Sequence, residues 1–186
     1  MRSLVPIAVL LLTLAAAEAV AEPRIRELEA HEADGRISVS FRLDEAFDDP
    51  DIRKAIESGL PTVLRYEIVL LRKYPNWFDD TIATSMIEVV ATYNSVTREY
   101  LLNYRRDRRL VRSQVLSSLD ELKRRMATIN EPELFGTEGR KPWKLRVRVR
   151  AELMRRYVWY LIPWDVSTPW EETRVESLLE ENGETP

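Results

Sequence analysis

Four cations stand at every second position of one run, Lys144, Arg146, Arg148 and Arg150, with Arg155 and Arg156 close behind. In an extended strand, positions i and i+2 share a face about 7 Å apart. Such a row matches a run of phosphates or anionic lipid headgroups better than any single small ligand. Like charges on one face repel, so acids on neighbouring strands are expected to answer them, with Glu67, Glu88 and Glu99 as the candidates. Directly after the cations come Tyr157, Trp159, Tyr160, Trp164 and Trp170, side chains with a large apolar body and a polar tip that suit protein or headgroup interfaces. The candidate binding set is therefore Lys144, Arg146, Arg148, Arg150, Tyr157, Trp159 and Trp164. The plainer alternative is a solvated, neutralised sheet face followed by a segment that covers the core.

Catalytic chemistry fares poorly by elimination. Hydrolase nucleophiles of the Gly-x-Ser-x-Gly kind are absent, and the single histidine, His31, sits between Glu29 and Glu32 with no serine placed beside it. Glu67 and Glu88 could form a carboxylate pair of the glycosidase type, but as strand acids they are expected to pair with arginines instead. Asp48, Asp49 and Asp51, and the pair Asp79 and Asp80, lack the spaced ligands and bend glycine of a calcium loop and read as capping and turn residues. Without cysteine the chain has no disulfide, thiolate metal site or cysteine nucleophile. No catalytic residue, metal site or cofactor is expected. A net charge of −3 argues against a protein that coats nucleic acid by charge.

The elements that must position these residues begin after residue 21. Met1 to Ser3 carries one positive charge, Leu4 to Ala17 is almost wholly apolar or small, and Ala19-Val20-Ala21 fits the small-x-small cleavage pattern. The apolar run is shorter than the roughly 20 residues a spanning helix needs. Cleavage after Ala21 and a periplasmic location follow as expectations, with an uncleaved anchor as the alternative. The leader removes one Arg and one Glu, so the net charge is unchanged. The organisation is then a signal peptide at 1–21, one domain at 22–170, and an acidic tail at 171–186 that reads as a frayed helix and a disordered end.

Arg36 to Leu43 alternates polar and apolar without a fault, the period of a half-buried strand, and Asp34-Gly35 before it is a hairpin signal that makes 25–33 its partner. A short helix is expected over 50–58. Strands follow at 62–72, 82–93 and 98–105, with turns at Tyr74 to Asp80 and at Asn94-Ser95. Ser113 opens a helix with Val115, Leu116, Leu119, Leu122, Met126 and Ile129 on one face; a polar loop with Pro132, Gly136, Gly139 and Pro142 ends it. Lys144 to Leu153 is the last alternating strand. The order β-β-α-β followed by β-β-α-β predicts an α+β fold, a mostly antiparallel sheet with two helices on one face, and leaves a duplication open.

Ser58-Gly59-Leu60-Pro61, the strand Arg65 to Arg72, Trp77 with Asp80, and Tyr93 with Thr97 to Tyr100 stand in an order that resembles the exported bacterial family catalogued as domain of unknown function 4390. The similarity covers roughly 25–153; the stretch Tyr157 to Trp164 departs from the family's usual Leu-Pro pair and Trp. The resemblance implies a protein of Gram-negative envelopes, with no established activity, ligand or catalytic residue to carry over. Residues and resemblance together suggest an exported, non-enzymatic domain that binds an envelope protein or an anionic membrane surface, not nucleic acid. A carrier or sensor that encloses an amphipathic small molecule or lipid between sheet and helix is the alternative.

Overall fold

A computed structural model describes residues 22–47, 50–75, 78–154 and 166–177 of the chain. The expected leader, Asp48, Asp49 and Trp77, and the candidate binding residues Tyr157, Trp159 and Trp164 lie outside the described residues.

The alternation at the start does what its period demands. Strand β2 (Arg36–Asp44) buries Ile37, Val39, Phe41 and Leu43 while Arg36 and Arg42 stay exposed. It pairs antiparallel with β1 (Arg24–Ala33) through a turn in which Asp34 and Gly35 hold φ of 50° and 75°, the left-handed values that a two-residue hairpin turn of the primed type requires. Helix α1 (Pro50–Glu57) buries Ile52 and Ile56. It hands the chain to a second group of strands, β3 (Thr62–Arg72), β4 (Asp80–Asn94), β5 (Glu99–Arg106) and β6 (Arg109–Leu116), an antiparallel meander. Helix α2 (Leu119–Ala127) carries the chain back, and β7 (Thr128–Gly136) pairs with β2. After a single 3-10 turn at Pro142–Lys144, β8 (Leu145–Met154) lies against β3. Short β9 (Val166–Ser167) and β10 (Glu171–Arg174) both pair with β8, and β11 (Glu176–Ser177) pairs parallel with β1.

The strands form two sheets, one ordered β11-β1-β2-β7 and a larger one ordered β10-β8-β3-β4-β5-β6 with β9 also on β8. One apolar core joins them. Phe41 of the smaller sheet meets Tyr66 of the larger edge to face, ring centroids 5.2 Å apart, and the Tyr66 hydroxyl donates to the Met126 carbonyl at 2.8 Å. Burial of each such large side chain contributes about 1.5–3 kcal/mol. Tyr66 keeps its one polar atom satisfied inside the core, which is the condition for a buried hydroxyl. Val175 is buried between β10 and β11, its N–H donating to the Leu145 carbonyl, so the end of the described chain crosses from one sheet to the other.

The class is the expected one, α+β, mostly antiparallel β structure with two helices among the described residues. Several finer expectations are corrected. The single sheet is two. Ser113, Val115 and Leu116 belong to strand β6; the helix begins later, capped by Ser118, whose Oγ accepts from the Glu121 N–H at 3.4 Å. The expected polar loop contains β7, where Ile129 and Phe135 are buried and Pro132 occupies a strand position. The expected frayed tail supplies β10 and β11. The misread elements have one source: strands that are short, bulged or exposed on both faces carry no clean period for sequence reading to find.

Candidate functional site

Strand β8 alternates as predicted. Leu145, Val147, Val149, Ala151 and Leu153 are buried, and Arg146, Arg148, Arg150 and Glu152 point the other way. Directly paired residues share a face, so the register places Glu67 and Val69 of β3 beside Arg150 and Arg148, and Glu172 of β10 beside Arg148. The Arg150 guanidinium donates from Nε and Nη2 to Glu67 Oε2 at 2.8 and 2.6 Å, and Nη2 lies 3.3 Å from Glu152 Oε1. Arg65 continues the network, 2.9 Å from Glu88 and 3.8 Å from Glu152. At the other end Arg146 reaches Glu172 at 4.0 Å, and Lys73 lies between Glu172 at 3.3 Å and Asp79 at 2.6 Å. The hydrogen bond from Lys73 to Asp79 holds the Lys73 ammonium above its ordinary pKa against the opposing cost of desolvation. Arg72 binds Asp80 at 2.8 Å, which accounts for the acid pair of that turn.

The stripe is thus three arginines, because Lys144 sits off the strand in the 3-10 turn, exposed. Of its expected neutralisers, Glu67 pairs with the stripe and Glu88 pairs with Arg65, whereas Glu99 lies opposite Asn94 at the far end of the hairpin. Arg148 differs from its neighbours. Its guanidinium carbon lies 4.5 Å from the centre of the Trp170 ring, that of Arg150 lies 4.8 Å from the same ring, and Arg148 Nε is buried without a hydrogen-bond partner. Trp170 itself is 37% exposed. The result is a face of balanced charge carrying an aromatic ring stacked with two arginines.

A second cationic region escaped sequence reading. The β5–β6 hairpin holds Arg105, Arg106, Arg108, Arg109 and Arg112 around a single acid, Asp107. Asp107 and Arg108 form its two-residue turn with φ of 49° and 69°. The turn is tied down by the Asp107 carboxylate, which accepts from the Met86 N–H at 2.8 Å and the Ser85 hydroxyl at 3.2 Å. Arg106 is spent on the buried Glu131 at 3.0 Å, and Arg112 stacks on Tyr104 at 5.2 Å. Arg108 and Arg109 have no carboxylate partner among the described residues, and Arg105 stands opposite Glu88, which Arg65 already binds. The signal was available as five arginines within eight positions. It lacked the every-second-residue spacing that drew attention to β8.

Glu67 and Glu88 are each committed to an arginine and leave no facing acid pair. Half-buried His31 on β1 has its Nε2 3.5 Å from Glu29 and its Nδ1 buried without a hydrogen-bond partner. Among the described residues no three His, Asp or Glu side chains gather as a metal site would require. Two acids are buried among the described residues: Glu32, which accepts from the Gly35 N–H at 2.8 Å and the Ser177 hydroxyl at 3.0 Å, and Glu131, which accepts from the Tyr104 hydroxyl at 2.6 Å as well as from Arg106. Burial, and then the bond to Glu131, push the Tyr104 hydroxyl far above its usual pKa, so it stays a neutral donor. Among the described residues no helix is long and apolar enough to cross a membrane.

The residues that carried the family resemblance have structural roles. Gly59 ends α1 with φ of 79°, and a Cβ there would stand 3.3 Å from the Tyr93 carbonyl. Tyr93 and Tyr100 face each other across the β4–β5 turn with ring centroids 4.8 Å apart, and the Asn94 side chain accepts from the Val96 N–H at 3.0 Å inside that turn. Comparison with curated proteins and with solved structures returned no match to the chain. The family model described as Domain of unknown function (DUF4390) matches residues 21–173, most of the chain, and the protein belongs to that family.

Proposed function

We propose that the chain is an exported, non-enzymatic envelope protein that binds a partner protein through the outward face of β8 and β10. The observation that carries this reading is Trp170, laid against Arg148 and Arg150 on a face whose charges are already balanced by Glu67, Glu152 and Glu172. Tryptophan and arginine are the residues that concentrate binding energy at protein interfaces. A balanced face offers an anionic lipid surface little net attraction, since that attraction scales with uncompensated cations at about 1 kcal/mol each. The finer reading of the fold as two related halves rests on each helix following an antiparallel pair and leading to the opposite sheet.

The carrier alternative asks for an apolar cavity beside α2. Leu122 and Met126 of that helix are buried in the core, and a hollow of about 470 Å³ away from the helix is lined by Glu32, Arg140, Trp143, Arg174 and Glu176. Neither observation favours an enclosed lipid.

A photoactivatable crosslinker placed at position 170, and in a control at the exposed turn residue Val96, tests the reading in intact envelopes. A discrete adduct from position 170 alone is the expected outcome. No adduct, or equal adducts from both positions, removes this face as the contact.

A further inference from the structure

Strand β6 ends the larger sheet: β5 pairs with one of its edges, and no described strand pairs with the other. A free edge presents unpaired N–H and C=O groups and accepts another strand unless charge, bulges or cover prevent it. Residues 109 to 113 are all exposed, and Leu110, Val111 and Val115 are 61%, 54% and 62% exposed. The register divides the strand's two faces. Leu110, Ser113 and Val115 stand beside Arg105, Asn103 and Leu101 on the outward face, while Arg112 and Gln114 stand beside Tyr104 and Leu102. The pairing shifts between Tyr104 and Arg105, so β6 is bulged near its start. Around this edge Arg108, Arg109 and Arg112 form no ion pair with a described carboxylate, since Glu131 serves Arg106 and Asp107 serves its own turn, while Arg105 stands opposite a Glu88 already bound to Arg65.

We infer that β6 takes an extended acidic segment of a partner polypeptide as an added strand, held main chain to main chain. On one face carboxylates of that segment meet Arg109 and Arg112, and on the other its alternate apolar side chains meet Leu110 and Val115. The arginines at this edge select the sign of the partner; the open edge selects its conformation. A second copy of this chain fits worse, because antiparallel self-pairing of β6 would set the arginines of both copies into one row. This surface is separate from the face carrying Trp170, with β3, β4 and β5 between the two, and its test is read independently of the crosslinking above.

The probe is a labelled eight-residue peptide alternating valine and glutamate, titrated onto the full protein as the cell processes it, with fluorescence anisotropy and amide hydrogen exchange as readouts. Saturable binding that weakens with salt and slows exchange of the β6 amides is expected. The same peptide N-methylated at alternate residues, or carrying lysine for glutamate, should not bind. In the double variant R109E and R112E the acidic peptide should lose at least about tenfold in affinity while the lysine peptide gains it. Absence of binding up to about 1 mM peptide overturns the inference, as does binding without slower exchange at β6. Protection of β6 that rises with protein concentration alone also overturns it, by assigning the edge to a second copy. Should the double variant not fold, exchange in the unmodified protein still decides.

Discussion

Arg150 grips Glu67 across the β8–β3 pair, with Nε and Nη2 both on Oε2 at 2.8 and 2.6 Å. The side chains are 34% and 23% exposed, so water screens the pair and its worth is that of a cross-strand contact, about 0.5–1 kcal/mol. Glu67→Gln is expected to lower the unfolding free energy by about that amount in urea titrations. Because the stripe is neutralised, replacing Arg146, Arg148 and Arg150 together by Gln should leave retention on anionic vesicles unchanged. Abolished, salt-sensitive retention in a sedimentation assay would return the stripe to the status of a lipid-binding surface.

Burial raises the hydroxyl pKa of Tyr66 and Tyr104 well above the ordinary value of about 10. A raised folded pKa means that both states stay protonated below the unfolded value, so this contribution is fully present there and is lost as pH rises beyond it. Stability is therefore expected to be insensitive to these two groups up to pH about 9 and to fall steeply above pH about 10. Tyr104→Phe should flatten that fall while costing about 1–3 kcal/mol at neutral pH, because Glu131 loses one of its two donors. Urea midpoints at neutral and alkaline pH, measured for both proteins, check the sign; an equally steep alkaline loss in the variant would contradict it.

Two glycines separate backbone strain from crowding. Gly59 and Gly139 hold φ of 79° and 75°, but a Cβ at Gly59 would stand 3.3 Å from the Tyr93 carbonyl whereas nothing lies within 4 Å at Gly139. Gly139→Ala should cost about 1 kcal/mol from the left-handed backbone alone. Gly59→Ala should cost distinctly more, about 2 kcal/mol, in thermal or urea denaturation. Equal costs would show that Tyr93 yields without penalty.

The small-x-small site at Ala19 to Ala21 predicts a mature chain that begins at Glu22. Intact mass of the protein recovered from the periplasm should correspond to loss of 21 residues. An unprocessed mass in the membrane fraction would instead establish an anchor.

Much of the fold was legible because one buried face imposes one period. Arg36 to Leu43 and Leu145 to Leu153 each have a core on one side and solvent or long polar side chains on the other, and the alternation records it. Strand β6 has solvent on both sides, so Leu110, Val111 and Val115 follow no strand period and the last of them fell into a helical one. In β7 the sequence Thr128 to Gly136 contains Pro132 and a residue, Glu133, with φ of 55°, features that read as loop until β2 supplies a partner. The acidic tail looked unstructured because Glu171, Glu172 and Glu176 have little to bury by themselves; β8 and β1 provide the edges on which they pair.

By itself the sequence determined the family, the α+β class and the alternating strands, since these depend on periodicity and on the order of residues along one segment. It also marked Arg146, Arg148 and Arg150 as one row. Only the tertiary structure decided what that row means. Coulomb interactions depend on separation in space, and Glu67, Glu152 and Glu172 reach the row through register, whereas no described carboxylate forms an ion pair with Arg108 or Arg109, and the Glu88 opposite Arg105 is held by Arg65. Charge that looked concentrated on β8 is neutralised there, and the uncompensated charge stands at the open edge of β6.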